Sequence, residues 1–176
     1  MKGTTVAVLA FVLSSVLVAL PVFGKQGAKE AARAPMTDQQ FLDFAAQTDM
    51  TEANLGQVAE DKGGPTVKNF GEALRTDHTN DYYQLTEAAQ KAGLIVPKGV
   101  DAEHNRVIDS LDKLKGAAFD HRFAREMVAG HEHAISIYKK EAEDAQNPDI
   151  KAYAQEALST LQKHLDDAMQ LEKTKG

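Results

Sequence analysis

The chain has 176 residues, of which 43% are hydrophobic, 26% charged and 6% aromatic, a size and balance suited to one ordinary domain. It contains no cysteine, so a disulfide scaffold, a thiolate metal site, an iron–sulfur centre and c-type haem attachment are all excluded. Twenty basic against 26 acidic side chains give a net charge of −6 with no Lys/Arg cluster, which argues against a nucleic-acid-binding surface.

The first element is apolar. Val6 to Leu20 carries no charge, follows Lys2, and is followed by Pro21-Val22-Phe23-Gly24. A basic start, a short apolar stretch and small or aliphatic residues at −3 and −1 of a cleavage after Gly24, Val22 and Gly24 itself, predict a secretory signal peptide over 1–24. An uncleaved anchor is the alternative, and against it stand only fifteen uncharged residues, short of the about 20 that a spanning helix needs. Cleavage after Gly24 would leave 152 residues with a net charge of −7, an exported domain whose natural compartment is the periplasm. Residues 25–36 are small and polar without a sustained apolar face and read as a flexible leader.

From Thr37 onward apolar residues recur three and four apart, with no strand-like alternation, and an all-α domain is predicted over 37–173. A first helix is expected over 38–61, with Thr37 and Gln40 at the spacing of a capping box. Gly63-Gly64-Pro65 breaks it, and Pro65, which has no amide hydrogen to leave unpaired, opens a second helix over 65–92. Gly93 closes that helix. A connection with Pro97 and Gly99 leads to a short helix over 102–115, carrying Val107, Leu111 and Leu114 as a lid or crossover and ending at Gly116. A third long helix over 117–146 and a fourth over 149–173 are separated by Asn147-Pro148. Two helical hairpins joined by a longer connection outline a four-helix bundle.

Each long helix has an apolar stripe interrupted near its middle by a side chain that can bind metal. Phe41, Ala45, Thr48, Glu52, Leu55 and Ala59 form the first; Val67, Phe70 and Leu74, then Asp77 and His78, then Tyr82, Leu85 and Ala89 form the second. Phe119, Phe123, Met127, His131, Ile135 and Tyr138 form the third, and Ala154, Ala157, Leu161, His164, Ala168 and Leu171 the fourth. Glu52 lies 11 residues before Gly63 and His78 lies 14 after Gly64, a mismatch of about 4.5 Å of helical rise. His131 and His164 each lie 16 residues from the Asn147-Pro148 break and fall at one height. Glu52, Asp77, His78, His131 and His164 are therefore expected in one layer.

Such a set, rich in imidazole and poor in carboxylate, suits one Zn, Cu, Ni or Fe ion, with Asp77 either a ligand or an orienter of a ligand. It does not suit a ferritin-type diiron centre, which takes a Glu-x-x-His pair on each of two helices, a string absent here. A haem between two histidines is disfavoured, because Glu52 and Asp77 would crowd charge against it. The rival reading is a non-enzymatic envelope or stress-related interaction module, peripherally associated with the envelope, whose His/Glu/Asp layer only fixes helix register. His104, His121 and His133 read as surface or lid residues, and Asp120, roughly 16 Å of rise from His131, as a charge favouring its helix N-terminus. Tyr82, Tyr83 and Tyr138 read as packing residues. No nucleophile motif, phosphate loop or dinucleotide fingerprint occurs, so no catalytic residue is named.

The pattern resembles a bacterial exported family, the domain of unknown function numbered 4142, whose members commonly carry a membrane-protein label. The resemblance covers about Asp38 to Leu171. It rests on Phe41-Leu42, Glu52 and Leu55-Gly56; Val67-Lys68-x-Phe70 through Asp77-His78; Gly116, Phe119-Asp120 and His131; and Leu158 to Leu161 with His164-Leu165. Phe123 stands where the family tends to have Tyr, and Ser159 where it tends to have Pro, which removes a phenol and a helix kink. The resemblance implies a ferritin-like four-helix bundle and brings no settled activity with it.

Overall fold

The computed structural model describes residues 36–175, and among them five helices and no strand. The predicted signal peptide and all but Met36 of the predicted leader lie outside the described residues. The helices are α1 (Asp38–Lys62), α2 (Pro65–Ala92), α3 (Ala102–Asp112), α4 (Gly116–Asp144) and α5 (Pro148–Lys175). Among the described residues no helix is long and apolar enough to cross a membrane.

The boundaries follow local chemistry. Thr37 Oγ1 accepts from the Gln40 amide at 3.2 Å while Gln40 Oε1 accepts from the Thr37 amide at 3.0 Å, the reciprocal capping box. Pro65 occupies the first turn of α2, and Gly93 ends it in the left-handed conformation at φ 70°. Asn147 Oδ1 accepts from the Asp149 amide at 2.8 Å and caps α5 ahead of Pro148. The short helix ends earlier than the sequence predicts: Leu114 lies past its end, and Gly116, at φ 54°, starts α4 instead of closing α3.

The α1–α2 and α4–α5 hairpins pack side by side, α2 against α5 and α1 against α4, so the four long helices close a ring. α3 lies across α1 and touches α4, burying Leu111, with the Lys62–Asp112 ion pair at 2.6 Å tying it to the end of α1. α1 and α2 cross closely where Gly56 and Gly71 face each other backbone to backbone. Two apolar clusters fill the interior: Phe41, Leu42, Leu85, Tyr138, Ile150 and Leu161 toward one end, and Leu55, Val67, Leu74, Phe119, Phe123 and Met127 toward the other. Each long helix contributes to both clusters, and the polar side chains lie in sequence between them.

The sequence reading of two polar residues needs correction. Asp120 is buried and its Oδ1 accepts from the Gly64 amide at 3.0 Å, so it fastens the α1–α2 turn to α4 in addition to lying in the first turns of its own helix. Tyr83 is 65% exposed and packs into nothing, whereas Tyr82 donates its hydroxyl to the Pro97 carbonyl at 2.6 Å.

At the far end, the Asp38 carboxylate accepts from the Gln146 and Asn147 amides at 3.0 and 2.8 Å, and Glu141 is buried beside it. Burial first, and the Asp38 charge second, push the Glu141 carboxyl up to about 7. A carboxyl raised in the folded state stabilises the fold fully below its unfolded value, and that contribution fades as pH rises through about 7. Glu141→Gln should therefore flatten the pH dependence between about 4.5 and 7 and add on the order of 2 kcal/mol at pH 8, read from urea unfolding at both pH values. An unchanged pH profile would contradict the raised carboxyl.

Candidate metal centre

One polar side chain from each long helix reaches the same point: Glu52 from α1, His78 from α2, His131 from α4 and His164 from α5. All three histidines are fully buried and Glu52 is 5% exposed. Their ring centroids form a near-equilateral triangle, 5.8 Å for His78–His131, 5.2 Å for His78–His164 and 5.3 Å for His131–His164. One nitrogen of each lies within 4.8 Å of the others. Glu52 Oε2 stands 3.0 Å from His78 Nε2 and 3.2 Å from His131 Nε2.

The outer nitrogens are each held by an acceptor. His78 Nδ1 lies 3.0 Å from Asp49 Oδ1, His131 Nδ1 lies 2.9 Å from the Met127 carbonyl, and His164 Nε2 lies 2.9 Å from Asp77 Oδ2. A carbonyl can only accept, so His131 carries its hydrogen on Nδ1 and turns the Nε2 lone pair inward. His164, donating to the Asp77 carboxylate, turns Nδ1 inward by the same logic. On the inner side the situation reverses. Glu52 Oε2, His78 Nε2, His131 Nε2 and His164 Nδ1 are all buried with no hydrogen-bond partner, since the short Glu52 contacts are not aligned as hydrogen bonds. Four unsatisfied inward atoms, backed by three satisfied outer ones, match how proteins present imidazole to a metal.

The charges agree with that division. Burial would raise the Glu52 carboxyl, but the imidazoles of His131 and His78 overcome it and hold the group at about 2. Burial would lower His78, yet Glu52 and Asp49 on its two sides lift it well above the ordinary value. His131 is lowered by burial, and His164 falls to about 4 through burial and the neighbouring His78 charge. Without metal, Glu52 and Asp49 favour the charged form of His78 from its two sides, burial raises Asp49 itself, and His131 and His164 are held toward their neutral forms.

Of the residues the sequence selects, Glu52, His78, His131 and His164 come together, and Asp77 meets them from outside. Its side chain is 39% exposed and its Oδ2 meets the outer nitrogen of His164, the position of an orienter. Thr48 is half-buried, while Asp49, which the sequence reading passes over, is 1% exposed against His78. The signal was available: Asp49 precedes Glu52 by three residues and shares its helix face. Asp81, three residues after His78, is likewise buried and was passed over. His121 and His133 are exposed and His104 is half-exposed against Asp101, as the sequence predicts.

A family model described as "Domain of unknown function (DUF4142)" matches residues 24–171. No curated protein matches. A solved structure titled "CopM in the Cu(II)-bound form" superposes with a TM-score of 0.64 at 17% identity, covering 79% of this chain and 97% of the other. At that identity the likeness is one of fold.

Proposed function

We propose that this chain, which belongs to the DUF4142 family, is an exported helical protein that binds a transition-metal ion through Glu52, His78, His131 and His164. Asp49 and Asp77 orient His78 and His164 from outside. The observation that carries the reading is the set of four buried inward donor atoms without hydrogen-bond partners. Desolvating a polar atom without a hydrogen bond costs roughly 1–3 kcal/mol, and the Glu52–His78 charge attraction offsets this for only two of the four, so the set at the centre of a bundle calls for an occupant. Three nitrogens and one oxygen suit copper(II), zinc, nickel or iron(II) over magnesium or calcium, and copper binds such sets most tightly of the divalent first-row ions. The copper(II)-bound title of the structural neighbour makes copper the first ion to test. Bound there, the ion would replace the Nε2 proton of His78, so affinity falls as pH drops.

His131→Ala/His164→Ala removes two donors at one level. The unaltered chain should retain near-stoichiometric metal in the centre after dialysis, measured by elemental analysis, and the double variant should lose it. A metal-free chain whose melting temperature does not move with added copper, zinc, nickel or iron would instead support the structural polar layer, in which the Glu52–His78–Asp49 contacts serve packing alone.

A further inference from the structure

A second group of potential ligands lies on the outer face of His78. One atom each of Asp49, His78 and Asp81 lies within 4.8 Å of the others, and the three residues are 1%, 0% and 6% exposed. Asp81 Oδ2 is buried with no hydrogen-bond partner, although Asp49 Oδ1 is engaged by His78 Nδ1 at 3.0 Å. Asp49 Oδ2 accepts from the buried Tyr153 hydroxyl at 3.4 Å, which places a phenol oxygen beside the pair. Burial raises both the Asp49 and the Asp81 carboxyl, so the two ionise side by side only against a compensating positive charge.

We infer that Asp49, Asp81 and His78 Nδ1 form a second cation site, making the centre a pair of divalent first-row ions bridged by the His78 ring. This rests on the first site being a metal site. As the second ion enters, the Nδ1–H bond of His78 breaks and its proton leaves to solvent, so the ring becomes an imidazolate with one nitrogen on each ion. Asp49 and Asp81 supply two negative charges. The donor set is richer in oxygen than the inner one and suits zinc at least as well as copper.

The test is the number of zinc ions held per purified chain, by equilibrium dialysis and elemental analysis, for the unaltered protein and Asp81→Asn. Asn keeps the shape and removes a buried charge, so the metal-free variant should melt no lower than the parent, a check on folding. Two zinc ions in the parent and one in the variant are expected. One in both overturns the second site and leaves the first standing; two in both places the second ion elsewhere and overturns it as well. None in either defeats the first site and this inference together. A spectroscopic measurement separates bridging from mere proximity: with two equivalents of copper(II), the parent should show a weakened, coupled electron-spin signal, while Asp81→Asn with one equivalent shows the full signal of an isolated ion. An uncoupled two-copper signal in the parent would overturn the His78 bridge.

Discussion

Replacing Glu52 with Gln should cost the metal-free protein about 3 kcal/mol near neutral pH, a fall of about 10 °C in melting temperature. Glu52 is 5% exposed, and its Oε2 lies 3.0 Å from the Nε2 of a His78 that is fully buried. Removing one partner of a buried ion pair leaves the other charge with its desolvation uncompensated, which usually costs about 3–5 kcal/mol. The low end applies because Asp49 still faces His78 Nδ1 at 3.0 Å. His78 can also shed its proton, and the loss is then the free energy that had held the proton on.

The pH dependence gives this prediction a sign. The folded-state Glu52 carboxyl is held at about 2, below its value of 4.5 in an unfolded chain. A depressed carboxyl stabilises the fold fully above the unfolded value and loses that contribution as pH falls through the folded one. The difference between parent and Glu52→Gln should thus be full at pH 7 and shrink steadily between about 4.5 and 2. Urea unfolding of metal-free protein at pH 7 and pH 3 compares the full difference with a partly lost one. Equal midpoints at pH 7 would mean that Glu52 is not paired with His78 in solution.

On the proposed reading the same inner atoms would serve proton and metal in turn. In the metal-free state the His78 imidazolium neutralises part of the acid around it, and the fold is supported by the pair. With an ion at the centre, the proton on Nε2 is displaced and the ion takes over that role. A purely structural polar layer would have its inner atoms aligned as hydrogen bonds, whereas here the outer atoms are so bonded and the inner ones are not, although Glu52 Oε2 and His78 Nε2 attract by charge at 3.0 Å.

Much of this was legible in the sequence because long helices repeat a simple rule. Thr37 with Gln40, Pro65, Gly93 and Asn147-Pro148 mark ends that the structure realises through hydrogen bonds or a left-handed turn. Counting residues from the two tight turns brought Glu52, His78, His131 and His164 to one level, since helical rise is uniform and the connections are short. A one-dimensional stripe, however, is narrower than the face a helix buries in a bundle. Asp49 and Asp81 sit at its margin, where an acid ordinarily faces solvent, and only the neighbouring helices show that they do not. The direction of each imidazole was also beyond the sequence. Nothing in the order of residues says that His164 presents Nδ1 inward and Nε2 to Asp77, because that depends on the rotamer and the half-exposed position of Asp77. Gly116 misled for a simple reason: a glycine between two helical segments can close the first or open the second.

Gly56→Ala should lower stability by about 2–3 kcal/mol and, on the proposed metal reading, weaken copper binding by at least about tenfold, although residue 56 is none of the proposed ligands. A Cβ at this position would stand 2.5 Å from the Gly71 carbonyl oxygen and 2.8 Å from the Arg75 amide nitrogen. Both are backbone atoms of α2, so no side-chain rotation relieves the clash. The facing residue gives no room either, since a Cβ on Gly71 would meet the Gly56 oxygen at 2.7 Å. The helices must separate by roughly 1 Å to restore ordinary contact. Glu52 is one turn before Gly56 on α1, and His78 is one turn beyond Leu74 and Arg75 on α2. The separation therefore opens the 3.0 Å approach of Glu52 to His78, while His131 and His164, carried on the other hairpin, stay in place. Gly130→Ala on α4 is the control: its Cβ would meet Glu52 Oε1 at an ordinary 3.4 Å, and the gain in helix propensity should leave stability unchanged or raised by up to about 1 kcal/mol. Thermal unfolding and copper titration of the two variants distinguish the cases. If Gly56→Ala matched Gly130→Ala in both measurements, the close crossing of α1 and α2 would not be what sets the spacing of the centre.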